Sequence, residues 1–313
     1  MGKYGKEAEK LLYLFQDPGA RPVGLIYDLT VPLARLIASH PNLPRPFKRY
    51  QIQPAWRAEK PQKGRYREFY QCDVDIVGSP SPLADAEIIS ITNQSIKALQ
   101  FSSFKIKVNS RQVLFSLMDR AKIDKSKWLS VIQTIDKLDK KAKEEVEKEL
   151  SKKGLGSEQI TQIFEAINKA QPDDFLKMTI KYSQKMGVQN LEFDPHLARG
   201  LDYYTGPIFE AQVDQPKIGS ISGGGRYDQL LKTLGGPDLP ATGTSIGLDR
   251  VADVIEELNL WPDVGKTSTK VLVSIFSEEL LLQSIKVVNF LRGKGINTEL
   301  YPDEIAKLEK QLK

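Results

Sequence analysis

The spacing of apolar and polar positions changes several times along the chain, and each change predicts a new element. In "GLIYDLTVPLARLIAS" (24–39) a short strand-like run gives way to helical spacing, with Leu33, Leu36 and Ile37 on one face. Thr30 ahead of Pro32 marks the helix start. Asp28 and Thr30 therefore fall where polar groups can face a ligand, although a cap role alone also explains Thr30. From 50 to 78 the pattern is a hairpin, interrupted by Pro61 and Gly64. In its second strand a period of two separates Glu68, Tyr70, Cys72, Val74 and Ile76 from Phe69, Gln71, Asp73 and Asp75. The second set is a polar face, which either meets solvent or faces a ligand. Arg57, Glu59, Arg65 and Arg67 surround the turn, placing phosphate-clamping cations beside carboxylates that suit an amine.

Pro80 and Pro82 precede a helix beginning near Leu83, and "SSFKIKVNS" (102–110) reads as a strand. Residues 111–190 are helical and polar. Within them Lys140 and Glu144, Lys141 and Glu145, and Lys143 and Glu147 stand at i,i+4, the pattern of a solvated helix face rather than an RNA-binding stripe. Gly154 and Gly156 end that helix, and Ser157 is placed to cap the next. Residues 191–213 predict two antiparallel strands around a polar turn holding Arg199, Asp202, Tyr203 and Tyr204. The two tyrosines fit a packing role as well as a site. "SISGGGRYDQLL" (220–231) has three consecutive glycines, but no Lys-Ser or Lys-Thr follows them, so it lacks the spacing of a Walker loop. Residues 243–258 run from a glycine-spaced strand into an amphipathic helix with Arg250 in its first turn. The last segment, 269–313, alternates strand, helix, strand, helix, as an α/β domain with a parallel sheet begins.

Composition narrows the function classes. With 40 % hydrophobic and 27 % charged residues over 313 positions, the chain is globular. It has no run of about 18 apolar residues and its first ten lack a signal-peptide core, so a soluble, cytoplasmic protein without a membrane partner is expected. One cysteine, Cys72, excludes disulfides within one chain and cysteine-clustered zinc. The two histidines, His40 and His196, form no local metal motif, and no protein-held metal is expected. A net charge of +5 permits a polyanionic partner such as RNA.

Four segments together resemble one family, the histidyl-tRNA synthetases of class II: "YDLTVPLAR", the motif 2 hairpin "AWRAEKPQKGRYREFYQCDVDI", the histidine-specific "LARGLDYYTGPIFEA" and motif 3 "GTSIGLDRV". The resemblance implies an α+β fold: an antiparallel sheet flanked by helices, a helical insertion and the start of a C-terminal α/β domain. It implies catalytic core over 1–110 and 191–265, the insertion over 111–190 and part of an anticodon-binding domain over 266–313. The implied activity joins histidine to ATP, with Mg²⁺, and passes the histidyl group to the histidine tRNA. By position, Arg57 and Arg199 match arginines on the α-phosphate and Arg250 one on the γ-phosphate, while Glu59 and Arg65 help hold ATP. Asp28, Thr30 and Gln71 match receivers of the α-ammonium, and Asp75, Tyr203, Tyr204 and Tyr227 the surroundings of the imidazole. Gly223 to Gly225 are expected to leave room for the substrate.

Class II motif 1, which builds the family's homodimer interface, has no room in residues 1–23, so a fragment of a longer protein is expected. Two alternatives have different chemistry: a non-catalytic regulatory subunit of the ATP phosphoribosyltransferase type, and a tRNA-sensing module. The first is expected to part with ATP-clamping residues and the anticodon domain, whereas Arg57, Arg199 and Arg250 are all present; the second belongs to a larger regulatory kinase, and kinase signatures are absent from this sequence.

Overall fold

A computed structural model describes residues 10–139, 141–198, 203–262, 267–304 and 306–312. Residues up to Leu260 form one compact unit and those from Trp261 a second. The first unit opens on a hairpin of β1 (Leu14–Gln16) and β2 (Pro22–Gly24), followed by α1 (Thr30–Ser39). The predicted second hairpin is formed by β3 (Phe47–Trp56) and β4 (Glu68–Val77). Then come α2 (Pro82–Ala98) and β5 (Phe104–Ser110). Five helices follow: α3 (Arg111–Arg120), α4 (Trp128–Ile135), α5 (Lys143–Lys152), α6 (Ser157–Asn168) and α7 (Asp174–Lys185). The chain returns through β6 (Leu191–Phe193), β7 (Pro207–Val213), β8 (Ser220–Arg226), a short α8 (Leu230–Thr233), β9 (Ala241–Gly247) and α9 (Leu248–Glu257).

Seven strands make one sheet in the order β3-β4-β9-β8-β7-β5-β6. Every neighbouring pair is antiparallel except β5 and β6. The expected antiparallel α+β architecture is thus what forms. In the second unit β10 (Val271–Val273) pairs parallel with β11 (Thr298–Leu300), with α10 (Leu281–Gly293) between them in sequence and α11 (Leu308–Gln311) after, as the alternation predicts.

The core explains the layering. One face of the sheet buries Ile76, Ile106, Phe209 and Ile246 against Ile88, Ile89 and Ile96 of α2 and Val254 of α9. Each such side chain contributes roughly 1.5–3 kcal/mol by leaving water. Helix α2 starts cleanly because Ser81 accepts from the Leu83 amide at 3.1 Å and Pro82 needs no partner for the N–H it lacks. Helices α3 to α6 close around their own core of Leu117, Ile132, Val146, Leu150 and Ile163. Helix α7 instead packs on α2 and lends Leu176 to the core beneath the sheet.

Three expectations are corrected. Strands β6 and β7 do not pair with each other; they flank β5 on opposite sides, so the polar turn between them crosses a strand. Thr30 is the first residue of α1 rather than its cap, and the Asp28 side chain accepts from the Val31 amide at 3.0 Å. The next helix after Gly154 starts at Ser157 without a cap from it; the Gln159 side chain accepts from the Gly156 amide at 3.2 Å instead. Of the two readings of the polar face of β4, solvent is set aside, for Gln71, Asp73 and Asp75 are all buried. Of the charge run, Lys143–Glu147 and Lys141–Glu145 are long, exposed pairs at 3.6 and 4.0 Å, worth little to stability, and Lys140 lies outside the described residues.

A buried ion network ties β8 to α2. Arg226 meets Asp85 Oδ2 through Nε at 3.1 Å and Nη2 at 2.5 Å, and also reaches Asp228 at 3.0 Å and the carbonyls of Ser79 and Ser81. Asp85 is 0 % and Arg226 3 % exposed, so removing one partner strands the other charge. Asp85→Ala is expected to lose about 3–5 kcal/mol in a urea titration; a loss under about 1 kcal/mol would show that the network holds nothing together.

The three glycines of β8 divide their tasks. A Cβ on Gly224 would lie 2.2 Å from the Gly243 carbonyl and 2.6 Å from the Phe209 ring, and one on Gly225 would lie 2.6 Å from the Pro207 carbonyl. These two are therefore required by strand approach rather than by room for a ligand. A Cβ on Gly223 would meet nothing closer than 3.8 Å. We expect Gly224→Val to cost about 3 kcal/mol or more in thermal unfolding and Gly223→Val to leave the midpoint nearly unmoved; equal midpoints for the two variants would contradict this division.

Candidate active site

The period-two alternation of β4 turns Gln71, Asp73 and Asp75 toward one cavity of about 330 Å³. Register fixes their neighbours. Asp75 stands opposite Arg49 of β3 and Gly243 of β9, Asp73 opposite Gln51 and Ser245, and Gln71 opposite Gln53 and Gly247. Glycine at 243 is required here, because its Cβ would lie 2.0 Å from Asp75 Oδ1.

Asp75 is held from two sides. Arg49 donates to its Oδ2 through Nε at 3.0 Å and Nη2 at 2.9 Å, and the Tyr227 hydroxyl donates to its Oδ1. Burial pushes the Asp75 carboxyl up, while Arg49 and Tyr227 pull it back toward ionisation. Arg49 in turn donates to the Leu29 carbonyl at 2.9 Å and to Gln51, whose amide donates to Gln53 at 2.8 Å. Burial and the Asp75 charge hold the Asp73 carboxyl up at about 7. Asp28 is pushed up by burial and pulled back by the Val31 amide and Arg57. The rings of Tyr203, Tyr204 and Tyr227 close this end, with centroids 4.9 Å apart for Tyr203 and Tyr204 and 5.9 Å for Tyr203 and Tyr227. Burial raises all three phenols above their usual range, so they act as neutral hydrogen-bonding groups.

The other end is cationic. Arg57 donates to the Tyr27 carbonyl at 3.2 Å, and its guanidinium lies 4.6 Å from the Tyr27 ring centre and 5.0 Å from that of Phe69. Arg65 pairs with Glu59 at 2.9 Å. Arg250, in the first turn of α9, donates to the carbonyls of Gly64 at 2.5 Å and Ser220 at 2.6 Å, clipping the β3–β4 turn to β8. From Phe69 to Asp75 the strand advances about 20 Å, so the cavity has an arginine end and a carboxylate end.

Eleven predicted site residues come together around this cavity: Asp28, Thr30, Arg57, Glu59, Arg65, Gln71, Asp75, Tyr203, Tyr204, Tyr227 and Arg250. Arg199 and Asp202 lie outside the described residues. The structure adds Arg49 and Asp73, and also Glu210, a buried carboxylate that accepts from the Ser220 hydroxyl at 2.6 Å and stands opposite Gly223. Asp73 shares the alternating face of Gln71 and Asp75, which was signal enough; Arg49 becomes visible only once β3 is registered against β4.

Comparisons with known proteins agree with the geometry. The family model described as Histidyl-tRNA synthetase matches residues 2–251. A protein of Aeropyrum pernix named histidine–tRNA ligase is 43 % identical over 96 % of this chain and 73 % of its own length. The crystal structure of histidyl-tRNA synthetase from Nostoc sp. PCC 7120 superposes with a TM-score of 0.79 at 30 % identity, covering 96 % of this chain and 75 % of that one. A Bacillus halodurans structure titled as an ATP phosphoribosyltransferase regulatory subunit/histidyl-tRNA synthetase has a TM-score of 0.75 at 21 % identity, covering 93 % and 78 %, a likeness of fold alone. With the two-ended cavity on its sheet and a family match across most of its length, the chain belongs to the histidyl-tRNA synthetase family.

Proposed function

We propose that this protein activates histidine with ATP, forming histidyl-adenylate and pyrophosphate, and then transfers the histidyl group to the terminal adenosine of the histidine tRNA. The observation that carries the reading is the polarity of the cavity, with Arg57, Arg65 and Arg250 at one end and Asp28, Asp73 and Asp75 at the other. Such a cavity suits a molecule with a polyanion at one end and an ammonium and a ring N–H at the other.

In the first step a carboxylate oxygen of histidine attacks the α-phosphorus, a P–O bond forms, and the bond to the β-phosphate bridging oxygen breaks. Two anions approach each other, so cations fixed in advance lower the barrier more than an acid or a base would. Arg57 and Arg199 take the α-phosphate, Arg250 the γ-phosphate, and Glu59 with Arg65 the remainder of ATP. Mg²⁺ supplies further charge neutralisation. Asp28, Thr30 and Gln71 receive the α-ammonium. Asp75, fixed by Arg49 and Tyr227, accepts the imidazole N–H, with Tyr203 and Tyr204 as walls. A site built to bond that N–H rejects side chains without it far more strongly than apolar fit could.

The regulatory-subunit reading has less support, because Arg57 and Arg250 both line the cavity. The helical segment 111–190 fits an insertion in the core formed by 1–110 and 191–265, and the parallel β10–β11 pair fits the opening of an anticodon-binding domain over 266–313. A homodimer is supported by Tyr50 and Ile52, 77 % and 53 % exposed on edge strand β3. No helix among the described residues is long and apolar enough to cross a membrane, in keeping with a cytoplasmic enzyme.

Histidine-dependent exchange between pyrophosphate and ATP tests the reading, and its absence in the wild type would sink it. Arg57→Ala is expected to slow exchange about a hundredfold, on the order of 3 kcal/mol in the transition state, with Arg199→Ala comparable. Undiminished exchange in either variant would remove that arginine from the α-phosphate.

A further inference from the structure

Four buried acceptor atoms of the cavity residues have no hydrogen-bond partner among the described residues: Glu59 Oε2, which lies 2.9 Å from Arg65 Nε as an ion pair, and three others, Asp28 Oδ2, Gln71 Oε1 and Asp73 Oδ1. An unsatisfied buried oxygen destabilises the fold, so three of them lining one cavity mark a place shaped for donors. Asp73 is the one of the three without an assigned task. It is 3 % exposed, lies on the same face of β4 as Gln71 and Asp75, and is flanked in register by Gln51 and Ser245.

We propose that Asp73 is a further substrate-binding residue that, with Asp28 and Gln71, receives the α-ammonium of the amino acid; this rests on the histidine-activating reading above. A primary ammonium brings three N–H donors, matching three acceptors in need of them. Charge points the same way. Asp28, Asp73 and Asp75 are three buried carboxylates, Arg49 is bonded to Asp75 through two nitrogens, and Arg57 draws on Asp28. Among the described residues Asp73 is drawn down by the Ser245 hydroxyl and the Arg49 charge but forms no ion pair of its own, so the cation that completes it comes with the ligand. A metal ion is not what the geometry selects, since these carboxylates are not placed to hold one together.

Binding at Asp73 is linked to protonation. Around its carboxyl stand Arg49 and Gln51 of β3, Cys72 and Asp75 of β4, Ser245 of β9, Asp28 before α1, and the Tyr203 and Tyr204 phenols. Burial and the Asp75 charge hold the carboxyl at about 7 in the free protein, and an arriving ammonium lowers it. Below about 7, binding then expels a proton and affinity climbs with pH; above it, affinity levels off.

Calorimetric titration of the wild type and Asp73→Asn, using histidine and 3-(imidazol-4-yl)propionic acid, its analogue lacking the ammonium, separates this role from a structural one. Asp73→Asn is expected to weaken histidine roughly 10- to 100-fold, leave the analogue unchanged or tighter, and keep the KM for ATP within about twofold. Proton release on histidine binding between about pH 6 and 7, read from buffers of different ionisation enthalpy, is expected to fall in the variant; imidazole titration is common to both proteins and cancels. Unchanged histidine affinity overturns the proposal, and so does an equal loss for both ligands, which would mark Asp73 as structural. A wild type that binds no histidine and shows no exchange overturns the functional reading and the proposal with it; a wild type that exchanges normally beside an unaffected Asp73→Asn overturns the proposal alone.

Discussion

Asp75 carries its carboxylate into the cavity face of the sheet at 3 % exposure, and much of the surrounding structure follows from making that tolerable. A buried carboxylate with no partner costs several kcal/mol. Here Arg49 of β3 bonds one oxygen, Tyr227 just beyond β8 bonds the other, and Gly243 of β9 leaves the space both need. Three parts of the chain are thereby fixed against one side chain. A slip of β3 by one residue would turn Arg49 to the opposite face and leave the carboxylate uncompensated, so the charge pair enforces register where a two-sided strand enforces it weakly. The same pairing gives the site an acceptor of fixed direction, which shape alone would not provide.

The arginines divide by what holds them. Arg226 is locked by Asp85 and Asp228, which cancel its charge, and it acts as scaffold. Arg57 is oriented by a backbone carbonyl and two aromatic rings, and among the described residues no carboxylate lies within ion-pair distance of it. Carbonyl dipoles and ring faces aim a guanidinium without neutralising it, leaving its charge to act on a ligand. Two carbonyl bonds, to Gly64 and Ser220, orient Arg250 as well. Residue type alone does not separate these arginines, since each is a lone arginine near a turn or strand end in the sequence. Their partners, contributed by distant segments, do.

Legibility followed the range of the interactions. The alternation of β4 and the strand-to-helix passage at Arg250 are local patterns and appear where the spacing puts them; on α1 Leu33 and Ile37 are buried as expected, but Leu36 is exposed and Ala34 takes its place. The resemblance brought Tyr227 and Gly223 to the cavity as well. What escaped was set by pairing. The polar face of β4 reads as facing either solvent or a ligand until the cavity walls are present, so Asp73 is singled out by its alternation but given no task. Arg49 precedes a run that looks like an ordinary edge strand, and only its place opposite Asp75 gives it a task. Likewise β6 and β7 are close in sequence and alternate in pattern, yet β5 intervenes between them, because neighbouring strands need not pair when a third is already at the edge. Cap assignments failed for a different reason. Asp28 and Gln159, near each helix start, outcompeted Thr30 and Ser157 for the free amides.

The strand order also explains how residues 28–75 and 203–250 make one site although a long helical segment separates them in sequence. Strands β4, β9 and β8 are adjacent, so the carboxylates of β4, the small residues of β9 and the glycines of β8 share a floor. The helices leave from β5 and return on β6, at the far edge of the sheet. At about 4.8 Å per strand, four spacings put β5 about 19 Å from β4. Helices α3 to α6 bury their own apolar faces against one another, and nothing in that core touches the pairing of Arg49 with Asp75. The interruption still meets the site at one wall, for Tyr204 packs against that core and Leu197 and Ile208 belong both to it and to the cavity lining.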